Sequence, residues 1–133
     1  MRIEHAAIFT NRLEILKDFY VKYFSASADK KYMSENKLNP GFESYFLSFS
    51  SGARLELMTK EKLTNTLISD EHEMVGFSHI AFSVGSIADL DNLIQKMEND
   101  GIIIATSPHN TGDGYYEACI LDPDGNRIEI LVS

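Results

Sequence analysis

The sequence predicts an α+β fold in which two modules of the order β-α-β-β-β follow each other along the chain. Each half opens with an apolar, strand-like run, at 5–9 and at 79–84. Each half also closes with a strand that has a Glu at its centre, at 54–58 and at 127–131. Apolar residues at helical spacing follow each opening strand. The repeated order indicates one module used twice.

Both predicted helices carry boundary signals. A short polar residue with an acidic residue three positions later is a helix N-terminal capping signal. Asn11 with Glu14 gives this signal in the first half, and Ser86 with Asp89 gives it in the second. Gly101 is suited to end the second helix in a left-handed conformation. The apolar positions at helical spacing are Leu13, Leu16, Tyr20 and Phe24, and then Ile87, Leu90, Ile94 and Met97.

Three further strands are predicted after each helix. The segment 122–126, Asp-Pro-Asp-Gly-Asn, suits a tight turn between the last two antiparallel strands. The loops 34–43 and 107–114 are candidate mobile segments. The predicted strands cover 27–33, 44–50, 53–59, 102–106, 115–121 and 127–132.

The domain organisation follows from these elements. Residues 60–75 are polar and acidic, and they predict a linker with a short helix at most. We therefore expect one domain over 1–133, made of the modules 1–59 and 76–133.

Composition limits the function classes. The net charge of -8 would repel a phosphate backbone, which argues against nucleic-acid binding. The single cysteine, Cys119, cannot form an internal disulfide, which favours a reducing cytoplasm. No apolar run approaches the roughly 18 residues of a membrane span. A soluble cytoplasmic protein is the expectation.

Each module carries one His and one Glu at nearly the same spacing. His5 and Glu56 are 51 positions apart, and His79 and Glu129 are 50 apart. Imidazole and carboxylate are ligands for a divalent metal of borderline softness. Taken singly, a strand-start His is more often structural, and each Glu could pair with a nearby cation, Arg54 or Lys60 for Glu56 and Arg127 for Glu129. Their coincidence in matching places favours a four-ligand metal site.

Strand alternation separates two faces in each module. His5 shares its face with Ala7 and Phe9, and His79 shares its face with Phe77. The ligand faces therefore have small or apolar neighbours. The opposite faces are uniformly apolar and are expected to pack under the helices; they carry Ile8, Leu55, Leu57, Ile80, Phe82, Ile128 and Ile130.

With its two modules, its DPDGN-R-IEIL ending and its His/Glu/His/Glu set, the chain resembles the vicinal oxygen chelate superfamily. That group includes glyoxalase I, fosfomycin-resistance proteins, methylmalonyl-CoA epimerase, extradiol dioxygenases and bleomycin-resistance proteins. The resemblance implies curved mixed sheets that form a cup around a metal site, within one chain or across a homodimer.

The ligand set is most similar to that of glyoxalase I, which the four residues match one by one. Epimerases usually have Gln where Glu56 stands, transferases and dioxygenases use two His and one Glu, and bleomycin-binding members lack the ligands. The resemblance implies a divalent ion (Zn, Ni, Co or Mn) and a lyase or isomerase that transfers a proton next to a carbonyl through an enediolate. Glu129 is then the expected base, and Glu56 is the alternative.

The substrate is less defined by the resemblance. Bacterial glyoxalase I typically has an Arg four residues after the first His, and here that position is Phe9. A thiol cosubstrate such as glutathione therefore stays open. The candidate substrate-binding residues are Phe9, Arg54, Phe77 and Tyr116. Two rival functions remain: a protein that sequesters a small aromatic or antibiotic molecule, and a fosfomycin thiol transferase.

Overall fold

The computed structural model describes residues 1–64, 76–112 and 114–132. The chain divides into two compact units, Met1–Thr66 and Leu67–Ser133. Most of the predicted linker 60–75 lies outside the described residues, so it stays a prediction.

The first unit contains one helix against one mixed sheet. Its sheet has the strand order β1-β5-β4-β2, and β3 also pairs with β4. Strand β1 runs parallel to β5, and the other pairings are antiparallel. The elements are β1 (His5–Phe9), α1 (Leu13–Phe24), β2 (Ser27–Ala28), β3 (Tyr32–Met33), β4 (Glu43–Ser48) and β5 (Arg54–Thr59).

The second unit repeats this plan. Its strand order is β6-β9-β8-β7, with β6 parallel to β9 and antiparallel pairing elsewhere. The predicted α+β fold with two β-α-β-β-β modules is thereby confirmed. The elements are β6 (His79–Ser83), α2 (Ile87–Asn99), β7 (Ile104–Asn110), β8 (Tyr116–Leu121) and β9 (Arg127–Val132).

Two strand predictions were wrong in extent. The strand predicted over 27–33 is split into β2 and β3, with the charged residues Asp29, Lys30 and Lys31 between them. Strand β7 continues to Asn110, so the first part of the predicted loop 107–114 is strand. Two register shifts in β7 absorb the extra residues. Because β7 is an edge strand, Pro108 is tolerated within it.

Each helix covers one face of its own sheet. The buried positions of α1 include Leu13, Leu16 and Tyr20 as predicted, together with Phe19 and Tyr23. In α2 the buried residues are Leu90, Ile94 and Met97, whereas Ile87 is exposed. The sheet residues beneath them are buried too: Leu55, Leu57, Ile128 and Ile130. One face of each sheet thus packs in the core, and the predicted metal ligands lie on the other face.

The second helix has the predicted ends. Ser86 is its N-cap, and its hydroxyl accepts a hydrogen bond from the backbone N–H of Asp89 at 3.1 Å. Gly101 has a φ of +79° after the helix. Its N–H donates to the carbonyl of Glu98 at 3.0 Å, which satisfies one of the last helical acceptors.

The first helix begins differently, and its predicted cap was wrong. Its N-cap is Arg12, without a side-chain capping bond. The Thr10 hydroxyl instead accepts a hydrogen bond from the Arg12 N–H at 2.8 Å. Glu14 is drawn away from the helix end by cations, since its carboxylate lies 2.8 Å from Lys31 Nζ and 3.1 Å from Lys17 Nζ.

A buried carboxylate organises the turn between β8 and β9. Asp122 is 4% exposed, and its Oδ1 accepts hydrogen bonds from the N–H groups of Asp124 and Asn126, each at 2.9 Å. Its Oδ2 accepts from Asn126 Nδ2 at 2.9 Å. Gly125 supplies a positive φ of +84°. These contacts set the point at which β9 begins.

Within the described residues, no helix is long and apolar enough to cross a membrane.

The cations beside Glu14 make a pH-dependent contribution to stability. Hydrogen bonding by Lys31, followed by that of Lys17 and Tyr45, lowers the pKa of Glu14 to about 2. A carboxyl with a lowered pKa stabilises the fold above its ordinary value of 4.5, and this contribution is lost as the pH falls toward 2. Because half of this side chain is exposed, solvent screening limits the effect.

We expect Glu14→Gln to lower the free energy of unfolding by about 0.5–1 kcal/mol at pH 7. The difference from the unmodified protein should shrink between pH 4.5 and pH 2. Urea denaturation at several pH values measures it, with Glu35→Gln, an exposed loop acid, as the control. An equal difference at pH 3 and pH 7 would contradict the ion-pair explanation.

Candidate metal centre

The first His/Glu pair lies on adjacent parallel strands. The register places Ala7 of β1 opposite Glu56 of β5, so His5 is the diagonal neighbour of Glu56 on the same face. His5 Nε2 lies 3.7 Å from Glu56 Oε2. The His5 side chain is 39% exposed and that of Glu56 is 15% exposed. The pair is therefore half-buried yet accessible.

The second pair repeats this geometry. Ala81 of β6 lies opposite Glu129 of β9, which makes His79 the diagonal neighbour of Glu129. His79 Nε2 lies 3.3 Å from Glu129 Oε2, and the two side chains are 42% and 21% exposed. Both units thus bring the same two donor atoms together on the sheet face opposite the unit's own helix.

These distances suit two ligands of one ion. Two atoms bound at about 2.1 Å with a tetrahedral angle are about 3.4 Å apart. The separations of 3.7 and 3.3 Å bracket that value. In the part of the chain that the structure describes, no group of three or more potential ligands is close enough to hold an ion. Within each unit the described residues bring two potential donor atoms together, and we call each such pair a half-site.

The neighbours of each Glu differ between the units. On one side both Glu residues face an Ala, which leaves space beside the carboxylate. On the other side Glu56 is in register with Phe46 of β4, and Glu129 is in register with Cys119 of β8. Burial raises the pKa of Cys119, and a hydrogen bond from Arg127 acts in the opposite direction. Cys119 lies half-buried on the Glu129 face.

A carboxylate holds the imidazole of the first half-site. Glu4 Oε2 lies 2.5 Å from His5 Nδ1. The pKa of Glu4 is lowered, first because it accepts this hydrogen bond and then because it accepts those of Arg54. An ionised carboxylate can only accept, so Nδ1 is the donor in this bond, and Nε2 is the ring nitrogen that faces Glu56. Such carboxylate–histidine pairs orient metal ligands in proteins.

The second half-site has a weaker equivalent. His79 Nδ1 lies 3.3 Å from the Ser78 hydroxyl. Glu4 and Ser78 hold corresponding places, each directly before the first residue of its strand. Strand alternation would assign both to the opposite face, so sequence periodicity alone does not identify them as histidine partners.

Arg54, a predicted substrate-binding residue, is engaged by Glu4. Its Nε donates to Glu4 Oε1 at 2.9 Å, and its Nη2 donates to the same oxygen at 2.5 Å. Its guanidinium lies 4.1 Å from the ring centroid of Phe46, which also packs edge-on against His5 at 5.3 Å. Arg54 is thus a support for Glu4 in this structure.

The predicted aromatic residues lie in different settings. Phe9 is on the His5 face and 48% exposed, with Lys60 Nζ 5.0 Å from its ring centroid. Phe77 is fully exposed and precedes strand β6. Both remain available for contact with a ligand.

Tyr116 lies on the helix-covered face of its sheet. Its hydroxyl donates to Asp91 of α2 at 2.9 Å, and this bond raises the pKa of Tyr116. Glu117, the next residue, shares the face of Glu129 because it pairs with Leu131. The sequence alone could not show which of the two residues shares the face of Glu129, because that depends on the exact residue at which β8 begins. Tyr116 is therefore left out of the site proposed below.

The comparisons with known proteins agree with this architecture. A search of curated proteins found no significant match. Among solved structures, a glyoxylase/bleomycin resistance protein/dioxygenase domain from Frankia sp. EAN1pec is 16% identical with a TM-score of 0.81, over 100% of this chain and 98% of that one. A lactoylglutathione lyase from Agrobacterium tumefaciens is 22% identical with a TM-score of 0.69, over 98% and 92% of the two chains.

A third structure, the trypanothione-dependent glyoxalase I of Leishmania major, is 22% identical with a TM-score of 0.74, over 99% of this chain and 86% of that one. At these identities the likeness establishes the fold. The family model of the Glyoxalase/Bleomycin resistance protein/Dioxygenase superfamily matches residues 2–130. With the predicted resemblance confirmed over nearly its whole length, the chain belongs to that superfamily.

Proposed function

We propose that this protein is a metal-dependent enzyme of the glyoxalase I type, a lyase or isomerase that transfers a proton next to a carbonyl. The observation that carries the proposal is the same pair of donors in both units, on the sheet face opposite the unit's own helix. The Nε2–Oε2 distance is 3.7 Å from His5 to Glu56 and 3.3 Å from His79 to Glu129. A structural protein has no need of two half-buried carboxylates in matching positions. The full ligand set is these four residues.

The metal is a divalent ion such as Zn, Ni, Co or Mn, which nitrogen and oxygen donors do not distinguish by type alone. When bound, it supplies Lewis acidity to a carbonyl or hydroxyl oxygen of the substrate. The two half-sites combine either within one chain or across a homodimer. We propose the homodimer because β1 and β6 are sheet edges in their own units. Light scattering of the purified protein tests it, and a monomer would exclude it.

The protein's own groups perform the proton transfer. Glu129 is the proposed base, which takes the proton from the carbon beside the carbonyl and returns it to the neighbouring carbon. Its side chain is 21% exposed, so a substrate can reach its oxygens. Glu56, at 15% exposure, is the alternative base or the returning acid. His5 and His79 hold their Nε2 atoms toward these carboxylates and take no proton from the substrate in this scheme.

A sequestering function is the second candidate. The exposed rings of Phe9 and Phe77 would suit an aromatic or antibiotic molecule. That function predicts tight binding of such a ligand without turnover, and it gives no reason for the paired His and Glu residues. A fosfomycin thiol transferase would use two His and one Glu, so the second Glu of the proposed ligand set argues against it.

Metal binding gives the first test. We expect the purified protein to bind one of the four ions, and Glu129→Gln or His79→Ala to weaken that binding strongly. Glu4→Gln should weaken it by about 10- to 100-fold, because the charged acceptor that orients His5 is lost. Calorimetric titration after chelator treatment measures these affinities, with Glu98→Gln on the exposed end of α2 as the control. Absence of binding for all four ions would rule out the enzyme proposal.

Turnover gives the second test. The substrate to try first is the hemithioacetal of methylglyoxal and glutathione, beside adducts of smaller thiols, in protein reconstituted with each ion. We expect Glu129→Gln to keep its fold and to lose activity by at least about 100-fold, the range of a lost general base. Circular dichroism checks the fold. Full activity in this variant would transfer the role of base to Glu56.

A further inference from the structure

The second unit has a groove on the sheet face opposite α2. Its volume is about 300 Å3, and it is lined by Ile103, Ala105, Leu121 and Arg127. Leu121 and Arg127 are register partners, and Arg127 lies on the Glu129 face because the two residues are two positions apart in β9. The groove and the half-site therefore share one surface within this unit.

Arg127 also lies directly beside the metal ligand His79, its partner in the parallel pairing. Its counterpart in the first unit is Arg54, which is the register partner of His5. The two arginines thus occupy equivalent positions in the two half-sites. Their surroundings differ in one decisive respect.

The Arg54 guanidinium is neutralised by the Glu4 carboxylate, which accepts two of its hydrogen bonds. In the second unit the place of Glu4 is taken by Ser78, which carries no charge. No carboxylate of the described residues forms an ion pair with Arg127. Its side chain donates a hydrogen bond to the thiol of Cys119, its diagonal neighbour on β8 and a weak acceptor. Arg127 is an exposed cation at the end of an apolar groove.

We propose that Arg127 anchors the substrate by binding a carboxylate, while an apolar segment of the substrate lies along Ile103, Ala105 and Leu121. A guanidinium recognises a carboxylate through two parallel hydrogen bonds. A volume of about 300 Å3 is at the lower end for small-molecule sites, so the groove suits a short acid. The inference rests on the proposed function for the reaction and adds the substrate class: small thiol adducts that carry a carboxylate.

The test uses a matched pair of probes, (hexylthio)acetic acid and its primary amide, which differ only in the charged group. Their affinities are measured by NMR titration of the full chain without added metal, so that the ion cannot bind the carboxylate. We expect the acid to bind at least about tenfold more tightly than the amide, the factor for a charge-assisted hydrogen bond. The shifted resonances should include those of Leu121 and Ile103.

Three variants locate the preference for the acid. Arg127→Gln should remove it, Arg127→Lys should keep part of it through the remaining charge, and Arg54→Gln should leave it unchanged. Equal affinity for the two probes in the unmodified protein, or an unchanged preference in Arg127→Gln, would overturn the proposal. If Arg127→Gln does not fold, a full preference in Arg127→Lys together with its loss in Arg54→Gln overturns it as well. These measurements involve neither metal nor turnover, so their outcome is independent of whether the enzyme proposal holds.

Discussion

The parallel pairing of the first and last strands in each unit is the constraint on which the candidate site depends. Parallel neighbours require a long crossover, and here the helix and the intervening strands supply it. The register that results sets an Ala opposite each Glu and places the His on the diagonal. A slip of one residue would turn either Glu toward the helix side, where apolar residues fill the core. The register therefore fixes both the position of each Glu on its sheet and the packing of the apolar residues under the helix.

The part of this arrangement that depends on alternation could be predicted from the sequence. The faces of His5 and Glu129 follow from period-two patterning, and the cap at Ser86 follows from its hydroxyl and the acidic residue after it. The cap predicted at Asn11 with Glu14 is not the one observed: the N-cap is Arg12, and the Glu14 carboxylate pairs with Lys31, which is distant in sequence. A local capping signal is not realised where a residue distant in the chain binds one of the side chains that the cap requires.

The contacts around the ligands could not be predicted in the same way. Glu4 lies before the first strand residue, where alternation no longer assigns a face, so its bond to His5 depends on the folded chain. Tyr116 and Glu117 exchange roles if β8 starts one residue earlier or later. The unequal environments of Arg54 and Arg127 likewise come from one difference between the modules. The residue before the first strand is Glu4 in one module and Ser78 in the other. The two modules thus share the His and Glu donors and differ in the residues around them.

The long separation between each His and its Glu has a kinetic consequence. Neither donor pair exists until a strand has returned across about fifty residues to lie beside the first strand, and such distant pairings form slowly. In the second unit, the turn held by Asp122 joins β8 to β9 through purely local contacts, so a hairpin can form before β6 docks. An ion held by both donors would then bind only chains that have completed this last step, so metal binding would report finished folding.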